Sequence, residues 1–373
     1  MRIGIVTPGI SASEQDWCIP ALLDLVRGVA QRDEVTVFAL RYPHQRTPYE
    51  LAGARVIPFG AGQRRGFGRL AMWVRAFVAL RRAAPRLDVL HALWAHEPAL
   101  LALAGARASG APVLASLLGG ELVDLPAIGY GGLSERGNRH FVRHTMRHAT
   151  RLSAGSEGLA RMVRARAGRR CALLPLGVDP SRFHPHGAAH MLAGDPALLS
   201  VASLVPIKDH ATLLAAFARL HTTLPAARLH LVGSGPLRSR LATFAGQLGI
   251  ARAVHYHGKV DHGSLPELYR GADMMVVAAR FESQCMAALE AAACGCPVLG
   301  TAVGIVPELG GPSVEPGDPE ALASLLASAW AERFTLEGLA RSQQACVTER
   351  FGLETCVRTL RAVYRELARD HPT

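Results

Sequence analysis

Two glutamates eight positions apart, Glu282 and Glu290, are the side chains of this sequence that most invite a chemical interpretation. Strong helix formers run from about residue 283 to 294 and Gly295 ends the run, so the segment predicts a helix. Glu282 would precede this helix. Glu290 would lie roughly two turns inside it among alanines, where a buried carboxylate needs a hydrogen-bonding partner. The expected separation is about 12 Å along the helix axis.

Such a span suits a ligand with polar groups at both ends and an anion between them. The N-terminus of a helix offers unpaired N–H groups and the positive end of the helix dipole, which together favour an anion. A nucleotide sugar has this layout, because a diphosphate separates its sugar from its ribose. The alternative is that both glutamates are solvated helix residues, and the pair alone does not exclude it.

A loop lysine is the next candidate. Lys208 and Lys259 are the only lysines among 41 basic residues, so a lysine here indicates that a compact point charge is favoured. Lys208 falls between a predicted strand and a helix that begins near Ala211, and a lysine in a loop beside a helix start is a common phosphate ligand. A solvated loop lysine is the alternative.

Glycines follow several predicted strands, where they allow a backbone to approach a ligand closely. Gly233 and Gly235 form a weak phosphate-binding signal that tight strand-to-helix packing explains equally well. Val260 closes another strand-end segment, whose backbone groups can meet a base. In the first half of the chain, Gly9 and Gly120 follow predicted strands in the same way.

Two histidines flank the fourth predicted strand. His91 is expected to be a packing residue at the strand end. His96 with Glu97 is the better polar candidate, because both are expected in the loop after the strand. The chain has 16 histidines, so each one alone is weak evidence.

The positive charge is concentrated in the first half of the chain. Residues 1–186 carry 25 Arg and Lys against 13 Asp and Glu, whereas residues 187–373 carry 16 against 17. A basic helix with interleaved apolar residues can lie in an anionic membrane surface. It can equally pack on its own domain with solvated arginines, while nucleic-acid binding lacks a supporting motif. The arginines concerned are Arg64, Arg65, Arg69, Arg75, Arg81, Arg82 and Arg86.

Length and composition predict two α/β domains. The 373 residues with 49% hydrophobic content are enough for two cores. Short apolar runs alternate with longer helical patterns, as is typical of parallel sheets with helices on their faces. We expect domains at 1–180 and 188–351, a turn-rich linker at 176–187, and a final amphipathic helix near 352–369 that needs a surface to pack on. The predicted strands are 2–7, 34–40, 55–58, 88–93, 112–117, 151–154, 171–174, 198–203, 227–232, 253–257, 273–278 and 297–301.

Other features favour a cytoplasmic location. The sequence has no run of about 18 uncharged apolar residues that would predict a membrane span. Its start predicts a first buried strand rather than a signal peptide. The seven cysteines contain no CxxC pair, which is typical of reduced thiols and gives no zinc pattern. An Asp-x-Asp cluster is also missing, so we expect neither a metal nor a cofactor.

Several spaced motifs between about residues 198 and 310 occur in the order found in one known family. This stretch resembles the retaining glycosyltransferases of family 4, the group 1 transferases with the GT-B architecture. The resemblance implies two Rossmann-like parallel-sheet domains facing across a cleft, with the final helix, about 352–373, packing back on the first domain. The first half matches more weakly. The motifs are Val201-Ala202-Ser203-Leu204 through Lys208, Gly233-Ser234-Gly235-Pro236, Gly258, Tyr269 to Asp273, Glu282 to Glu290, Cys294-Gly295-Cys296-Pro297-Val298 and Pro307-Glu308.

The same resemblance implies a role for each matching residue. Glu282 would bind hydroxyls of the donor sugar, Glu290 the ribose hydroxyls and Lys208 the diphosphate. The amides near Met286 and Ala287 would meet phosphate or sugar. Together with the candidates taken from the residues themselves, the predicted catalytic residues are Lys208, Glu282 and His96, and the predicted donor-binding residues are Gly9, Gly120, Ser203, Gly233, Gly235, Val260, Gln284, Cys285, Met286, Ala287 and Glu290.

Two positions depart from the family pattern. Ser203 stands where the family usually has an arginine that binds the diphosphate, and Leu118 stands where it often has a histidine facing the reacting sugar. Loss of one of two cations at the leaving group weakens its stabilisation by about a few kcal/mol unless another cation replaces it.

The sequence therefore predicts a retaining, hexosyl-type glycosyltransferase. It would move a sugar from a nucleotide diphosphate sugar to an acceptor held by the basic first domain: a glycan, a lipid-linked molecule or a small molecule. Two alternatives stay open, namely a donor-binding protein that has lost transfer activity and a GT-B sugar-nucleotide epimerase.

Overall fold

Short runs of aliphatic residues form the strands of two separate β-sheets, each in its own folding unit. The computed structural model describes residues 1–16, 19–60, 62, 66–107 and 109–371. The first unit comprises Met1–Gly177 together with the segment that begins at Leu353, and the second comprises Val178–Gly352. Because helices cover the faces of both sheets, the central strands are buried on both sides and contain almost continuous apolar residues.

The first unit is built on a sheet of eight strands among the described residues, in the order β3-β4-β2-β1-β5-β6-β7-β8. Neighbouring strands run parallel except β3, which is antiparallel to β4. The strands are β1 Arg2–Gly9, β2 Glu34–Tyr42, β3 Tyr49–Leu51, β4 Ala54–Pro58, β5 Val89–Leu93, β6 Val113–Leu117, β7 Arg151–Ala154 and β8 Cys171–Leu173. The helices are α1 Pro20–Ala30, α2 Phe67–Ala83, α3 Glu97–Ala106, α4 Arg136–His148 and α5 Glu157–Ala167.

The second unit has a parallel sheet with the order β11-β10-β9-β12-β13-β14 across its described strands. Successive residues of β9, Leu198 and Leu199, belong to different apolar clusters, so the sheet has a core on each face. The strands are β9 Ala197–Val201, β10 Arg228–Val232, β11 Val254–Gly258, β12 Met274–Val277, β13 Val298–Thr301 and β14 Ser313–Val314. The helices are α6 His210–Thr223, α7 Arg238–Gln247, α8 Leu265–Gly271, α9 Met286–Ala293, α10 Pro319–Ala331 and α11 Arg333–Cys346.

The strand order of each sheet fixes which loops become neighbours. In the first sheet the order reverses between β1 and β5, and in the second between β9 and β12. At such a switch point, the loops that follow the two central strands diverge to opposite faces and leave a crevice at the carboxyl edge. Loops far apart in sequence are thereby brought side by side.

The prediction of two α/β domains with parallel sheets is confirmed. Each predicted strand occurs, with its ends within two residues of the expected positions. Two strands were missed, β3 with three residues and β14 with two, because such short segments are too brief to show a period-2 pattern.

The final helix, α12 Leu353–Asp370, belongs to the first unit and packs against α1. Its predicted apolar face is buried, including Leu360 and Tyr364. Gly28 of α1 allows the close approach, since an added Cβ would lie 2.7 Å from Val357 Cγ2. Farther along, the Tyr364 hydroxyl is 2.7 Å from His91 Nδ1. The end of the chain thus completes the core of the first unit.

Candidate functional site

Two loops meet at the switch point of the second sheet. Loop A, residues 202–209, follows β9, and loop B, residues 278–285, follows the neighbouring strand β12. Lys208 Nζ of loop A forms an ion pair with Glu282 Oε1 of loop B. The Lys208 side chain is 25% exposed and that of Glu282 12% exposed, so the pair is partly shielded from water yet reachable from it. Two residues that the sequence singled out separately are therefore in contact.

A second ion pair joins the same two loops. Arg280 Nε lies 2.8 Å from Asp209 Oδ2, and the Arg280 amide donates to the Ile207 carbonyl at 2.9 Å. Asp209 has φ +45° and stands at the N-cap of α6, where its carboxylate also accepts from the Thr212 hydroxyl at 2.8 Å. Asp209 therefore both begins α6 and anchors loop B to loop A.

Sequence reasoning missed Arg280. The substitution at Ser203 raised the question whether another arginine takes over, and Arg280 is the arginine that the fold brings to loop A. Ser203 itself lies exposed in loop A. The available signal was an arginine two positions after the end of the predicted strand 273–278 and two positions before Glu282.

The predicted helix 283–294 is shorter than expected, because α9 spans Met286–Ala293. Cys285 precedes it with φ +76°, a left-handed conformation that interrupts the helix. The preceding residue, Gln284, is buried, and its carbonyl accepts from the Ile305 amide at 2.8 Å. Glu290 is therefore about one turn inside the helix rather than two, and the eight residues from Glu282 to Glu290 do not all rise along one helix axis, as the estimate of about 12 Å assumed.

The start of α9 leaves donors available. The N-cap Cys285 makes no side-chain cap, and the amides of the partly buried Met286 and Ala287 have no acceptor in the described part of the chain. Burial raises the pKa of the Cys285 thiol to about 12, so this thiol stays protonated. The helix start therefore presents two N–H groups next to the loop that carries Glu282.

Glu290 is buried, with 6% of its surface exposed. Its Oε1 lies 2.9 Å from His262 Nε2, and its Oε2 accepts from the Tyr269 hydroxyl at 3.0 Å. Burial and the adjacent Glu290 carboxylate raise the pKa of Tyr269 well above its usual range, so the phenol keeps its proton and donates. The solvated-helix alternative is wrong for Glu290. His262, which sequence reasoning did not single out, is one of its two partners.

The glycines after β10 support loop A. Gly233 has φ +134°, and an added Cβ would lie 2.1 Å from the Ala202 carbonyl oxygen. A Cβ on Gly235 would lie 2.5 Å from the Leu204 carbonyl oxygen. Close packing against loop A therefore explains both glycines. Val260 is partly buried against the apolar cluster that contains α9.

In the first unit, a buried glutamate joins the loops after β5 and β6. Glu121 accepts from the Ala95 amide at 3.2 Å, the Leu118 amide at 3.2 Å and the Gly119 amide at 2.7 Å. Burial raises the pKa of this carboxyl above its usual value, while the backbone amides oppose the rise. Gly120 lies beside it, and a Cβ there would be 2.6 Å from the Tyr130 ring.

The remaining candidates of the first unit lie at the ends of β1 and β5. Gly9 ends β1, and its carbonyl accepts from the Thr7 hydroxyl at 3.0 Å. His96 is the N-cap of α3, with its Nδ1 accepting from the Glu97 amide at 2.8 Å. Burial lowers the pKa of His96 to about 4, with Arg41 acting in the same direction, so the ring is neutral near pH 7.

Glu97 and His91 have structural partners. The buried Glu97 carboxylate forms ion pairs with Arg41 at 2.9 Å and Arg69 at 3.0 Å, so the expectation of Glu97 as a loop-side polar candidate was wrong. His91 bonds the Ser116 hydroxyl at 2.7 Å as well as Tyr364, which confirms its predicted packing role.

Membrane-spanning helices and metal-binding clusters are both missing from the described residues. None of the helices they form is long and apolar enough to cross a membrane. Nor do they contain a group of three or more histidine, cysteine, aspartate or glutamate side chains arranged to hold a metal ion.

Comparison with known proteins places the chain in a family. The profile described as "Glycosyl transferases group 1" matches residues 189–343, and that of "Glycosyltransferase Family 4" matches residues 21–182. Among curated relatives, a D-inositol 3-phosphate glycosyltransferase of Geodermatophilus obscurus is 34% identical over 245 residues, which is 60% of this chain and 54% of that protein. The chain spans about half the length or less of curated relatives that it matches.

Solved structures show the same fold at lower identity. A sucrose-phosphate synthase from Thermosynechococcus elongatus superimposes with a TM-score of 0.81 at 22% identity, covering 99% of this chain and 100% of that one. The Anabaena protein HepE, solved with UDP and glucose, gives a TM-score of 0.73 at 17% identity, covering 98% and 100%. With both halves matched by family profiles, the chain belongs to the group 1 glycosyltransferases of family 4, and it has their GT-B fold.

Proposed function

We propose that this chain transfers a sugar from a nucleotide diphosphate sugar to an acceptor, with retention of the anomeric configuration. The observation that carries the proposal is the Lys208–Glu282 ion pair at the switch point of the second sheet, beside the free amides of α9. This arrangement sets a cation, a carboxylate and unpaired N–H groups around one crevice. HepE, a protein of the same fold, was solved with UDP and glucose, which supports a donor of this chemical class.

The proposed diphosphate ligands are cationic or amide donors. Lys208 provides a point charge for the diphosphate, and the amides of Met286 and Ala287 provide directed N–H groups at the positive end of the helix dipole. Arg280 adds positive charge beside Lys208, and the ion pair with Asp209 offsets part of it. These groups stabilise the leaving nucleotide without a metal.

Glu282 is proposed to bind the donor sugar after an exchange of partners. Before the donor binds, the Glu282 carboxylate neutralises Lys208. When the diphosphate binds Lys208, it takes the place of Glu282 as the anionic partner of the lysine. The Glu282 oxygens then become free to accept hydrogen bonds from sugar hydroxyls. The ion pair therefore gives Lys208 and Glu282 partners of opposite charge until the diphosphate of the donor replaces Glu282 as the partner of Lys208.

Glu290 is proposed to bind the ribose. Each of its oxygens already has one partner, His262 or Tyr269, and a carboxylate oxygen can accept a second hydrogen bond. The fixed partners hold the carboxylate in one orientation, so a ribose would meet a preorganised acceptor. Replacement of Glu290 by alanine should therefore weaken donor binding.

Retention does not require an ionised nucleophile from the protein. The donor's own phosphate oxygen can take the acceptor's proton as the sugar leaves, so the protein's task is to hold the diphosphate and orient the sugar. The neutral His96, together with Gly9 and Gly120, stays the predicted contribution of the first unit. Ser203, Gly233, Gly235, Val260, Gln284 and Cys285 stay predicted contributions of the second.

A donor-binding protein without transfer activity is the competing proposal. It is motivated by Leu118, which packs against the apolar core of the first unit where the family often has a histidine, and by Ser203. Donor binding without hydrolysis or transfer would favour it. An epimerase would instead convert the donor in the absence of any acceptor.

We also propose that helix α2 rests on an anionic membrane surface. Its buried face contains Met72, Ala76 and Leu80, whereas a second apolar stripe faces solvent. This second stripe favours membrane contact over a helix that packs only on its own domain. Its exposed residues are Phe67 at 91%, Leu70 at 56%, Val74 at 54% and Val78 at 38%.

Substitutions of Lys208 and Arg280 test the proposed binding of the diphosphate. In a thermal-shift screen of nucleotide sugars, the donor that raises the melting temperature of the wild type should serve as substrate. With it, Lys208→Gln should lower kcat/KM by about 10²-fold, because a preorganised charge at the leaving group is lost. Arg280→Gln should lower kcat/KM by about tenfold. Arg219→Gln, on the exposed face of α6, is the matched control. Equal activity of Lys208→Gln and the control would contradict the proposal.

The second prediction separates two tyrosines of the second unit. Tyr269→Phe removes a donor from the buried Glu290 carboxylate and should lower the free energy of unfolding by about 1–3 kcal/mol. Tyr256→Phe should be neutral or stabilising, because the Tyr256 hydroxyl is buried without a partner among the described residues. Hydrogen exchange of the β12 and α9 amides measures the free energy of unfolding of both variants. A larger loss from Tyr256→Phe would show that the role of Tyr269 is misassigned.

The third prediction tests the membrane surface. Vesicles with anionic lipid should sediment more protein than neutral ones, and both Phe67→Ser/Leu70→Ser and Arg81→Gln/Arg82→Gln should reduce the bound fraction severalfold. Charge reversal at Arg69 would not test membrane binding alone, because it would also break the ion pair of Arg69 with the buried Glu97. Arg64 and Arg65 lie outside the described residues. Binding that does not depend on lipid charge would rule out the proposal.

A further inference from the structure

Helix α4 carries an unusual concentration of positive charge. Arg139, Arg143 and Arg147 recur at intervals of four residues, so they lie along one side of the helix, and the helix contains no acidic residue. Like charges at this spacing repel each other. The pattern therefore costs helix stability, and a bound anion would compensate it.

These arginines face a cavity. The cavity has a volume of about 690 Å³ and lies between α4, the C-terminal end of α5 and the segment 122–133. Its lining includes the three arginines together with Arg166 of α5, against one acidic side chain, Asp124. The formal charge of this lining is thus four positive against one negative. Leu122 and Met146 add apolar surface.

Most of the positive side chains in the cavity lining are not paired with other groups of the described chain. The guanidinium groups of Arg143, Arg147 and Arg166 form neither a hydrogen bond nor an ion pair with other described residues, although the Arg147 carbonyl accepts from Arg169 Nη1 at 3.2 Å. The carbonyls at the end of α4 are already bonded by another arginine, Arg169, whose Nη1 is 2.9 Å from the Met146 oxygen. The cavity arginines are therefore not needed to cap the helix.

The other two charged groups of the lining have local partners. Arg139 donates to the Leu133 carbonyl at 3.0 and 2.7 Å, which holds the segment before α4. The Asp124 carboxylate accepts from the Ser134 hydroxyl at 2.8 Å. Three guanidinium groups thus remain, and their planar forks match the oxygens of a phosphate.

We propose that this cavity binds a phosphate-bearing ligand through Arg143, Arg147 and Arg166. The volume exceeds that of a phosphate group, and the apolar lining provides room for an organic moiety next to it. The cavity shares no residue with loops A and B, so it is a second anion site, separate from the proposed donor site. The phosphate belongs either to a free metabolite or to a lipid headgroup.

The experiment uses the full chain with Lys208→Gln, so that anion binding at the donor site is weakened. Pyrophosphate is titrated by calorimetry at constant ionic strength. We expect binding that becomes roughly tenfold weaker with Arg166→Gln and weaker still with Arg143→Gln/Arg147→Gln, because each removes a charge-assisted contact. Arg161→Gln on the same α5 helix is the matched control, since Arg161 is exposed and outside the cavity.

A vesicle arm separates the two sources of phosphate. Vesicles containing phosphatidic acid are compared with phosphatidylcholine alone, in a Phe67→Ser/Leu70→Ser background that weakens the α2 surface. Loss of pyrophosphate binding with Arg166→Gln supports a free phosphorylated ligand. Loss of vesicle binding alone supports a lipid phosphate. If neither probe distinguishes Arg166→Gln from Arg161→Gln, the cavity is not a phosphate site and the proposal fails. The donor-site proposal is unaffected, because it is tested by the transfer activity of the Lys208 and Arg280 variants and not by pyrophosphate binding at the cavity.

Discussion

The proposed donor site depends on the pairing of two loops at the switch point of the second sheet. Lys208 and Glu282 form one ion pair across loops A and B, and Asp209 and Arg280 form another. Neither pair is between sequence neighbours, so the parallel contact of β9 with β12 must form before the charges can meet. The fold thereby holds two cations and two carboxylates together in a partly shielded place, where electrostatic interactions are stronger than in open water.

The surrounding structure fixes the orientation of these groups. The left-handed Cys285 ends loop B and turns the chain into α9, so that Glu282 stays in the loop while Glu290 enters the core. There His262 and Tyr269 bond the two oxygens of Glu290. A buried carboxylate without such partners would be strongly unfavourable, so the pair of bonds is what allows Glu290 to sit inside an alanine-rich helix.

The sequence predicted the parts of this arrangement that leave a local pattern. Apolar runs identified the strands, and the unusual lysine and the carboxylate in an apolar helix singled out Lys208 and Glu290. It could not predict the Arg280–Asp209 pair, because which charges meet depends on the strand order. The left-handed conformation of Cys285 was also missed, since cysteine is not a residue type that marks positive φ.

In the first unit, too, packing determines which arginine side chains are paired and which are left available. The regular spacing of the arginines along α4 can be read from the sequence. Only the packing shows that the Arg169 side chain, and not that of Arg147, donates to the carbonyls at the end of this helix. Similarly, Arg69 belongs to the basic segment that suggested a membrane surface, but it is bound to the buried Glu97. Composition therefore gives the amount of charge, whereas the fold decides which charges remain available for a ligand.

In the proposed donor site, Lys208 binds the diphosphate while Glu282 binds the sugar. Calorimetric titration of Glu282→Gln with the nucleotide sugar and with its nucleotide diphosphate tests this division directly. The substitution should weaken binding of the nucleotide sugar by about tenfold, through lost hydrogen bonds to sugar hydroxyls, and should leave binding of the nucleotide diphosphate unchanged or tighter, because Lys208 is released. Equal weakening of both ligands would contradict it.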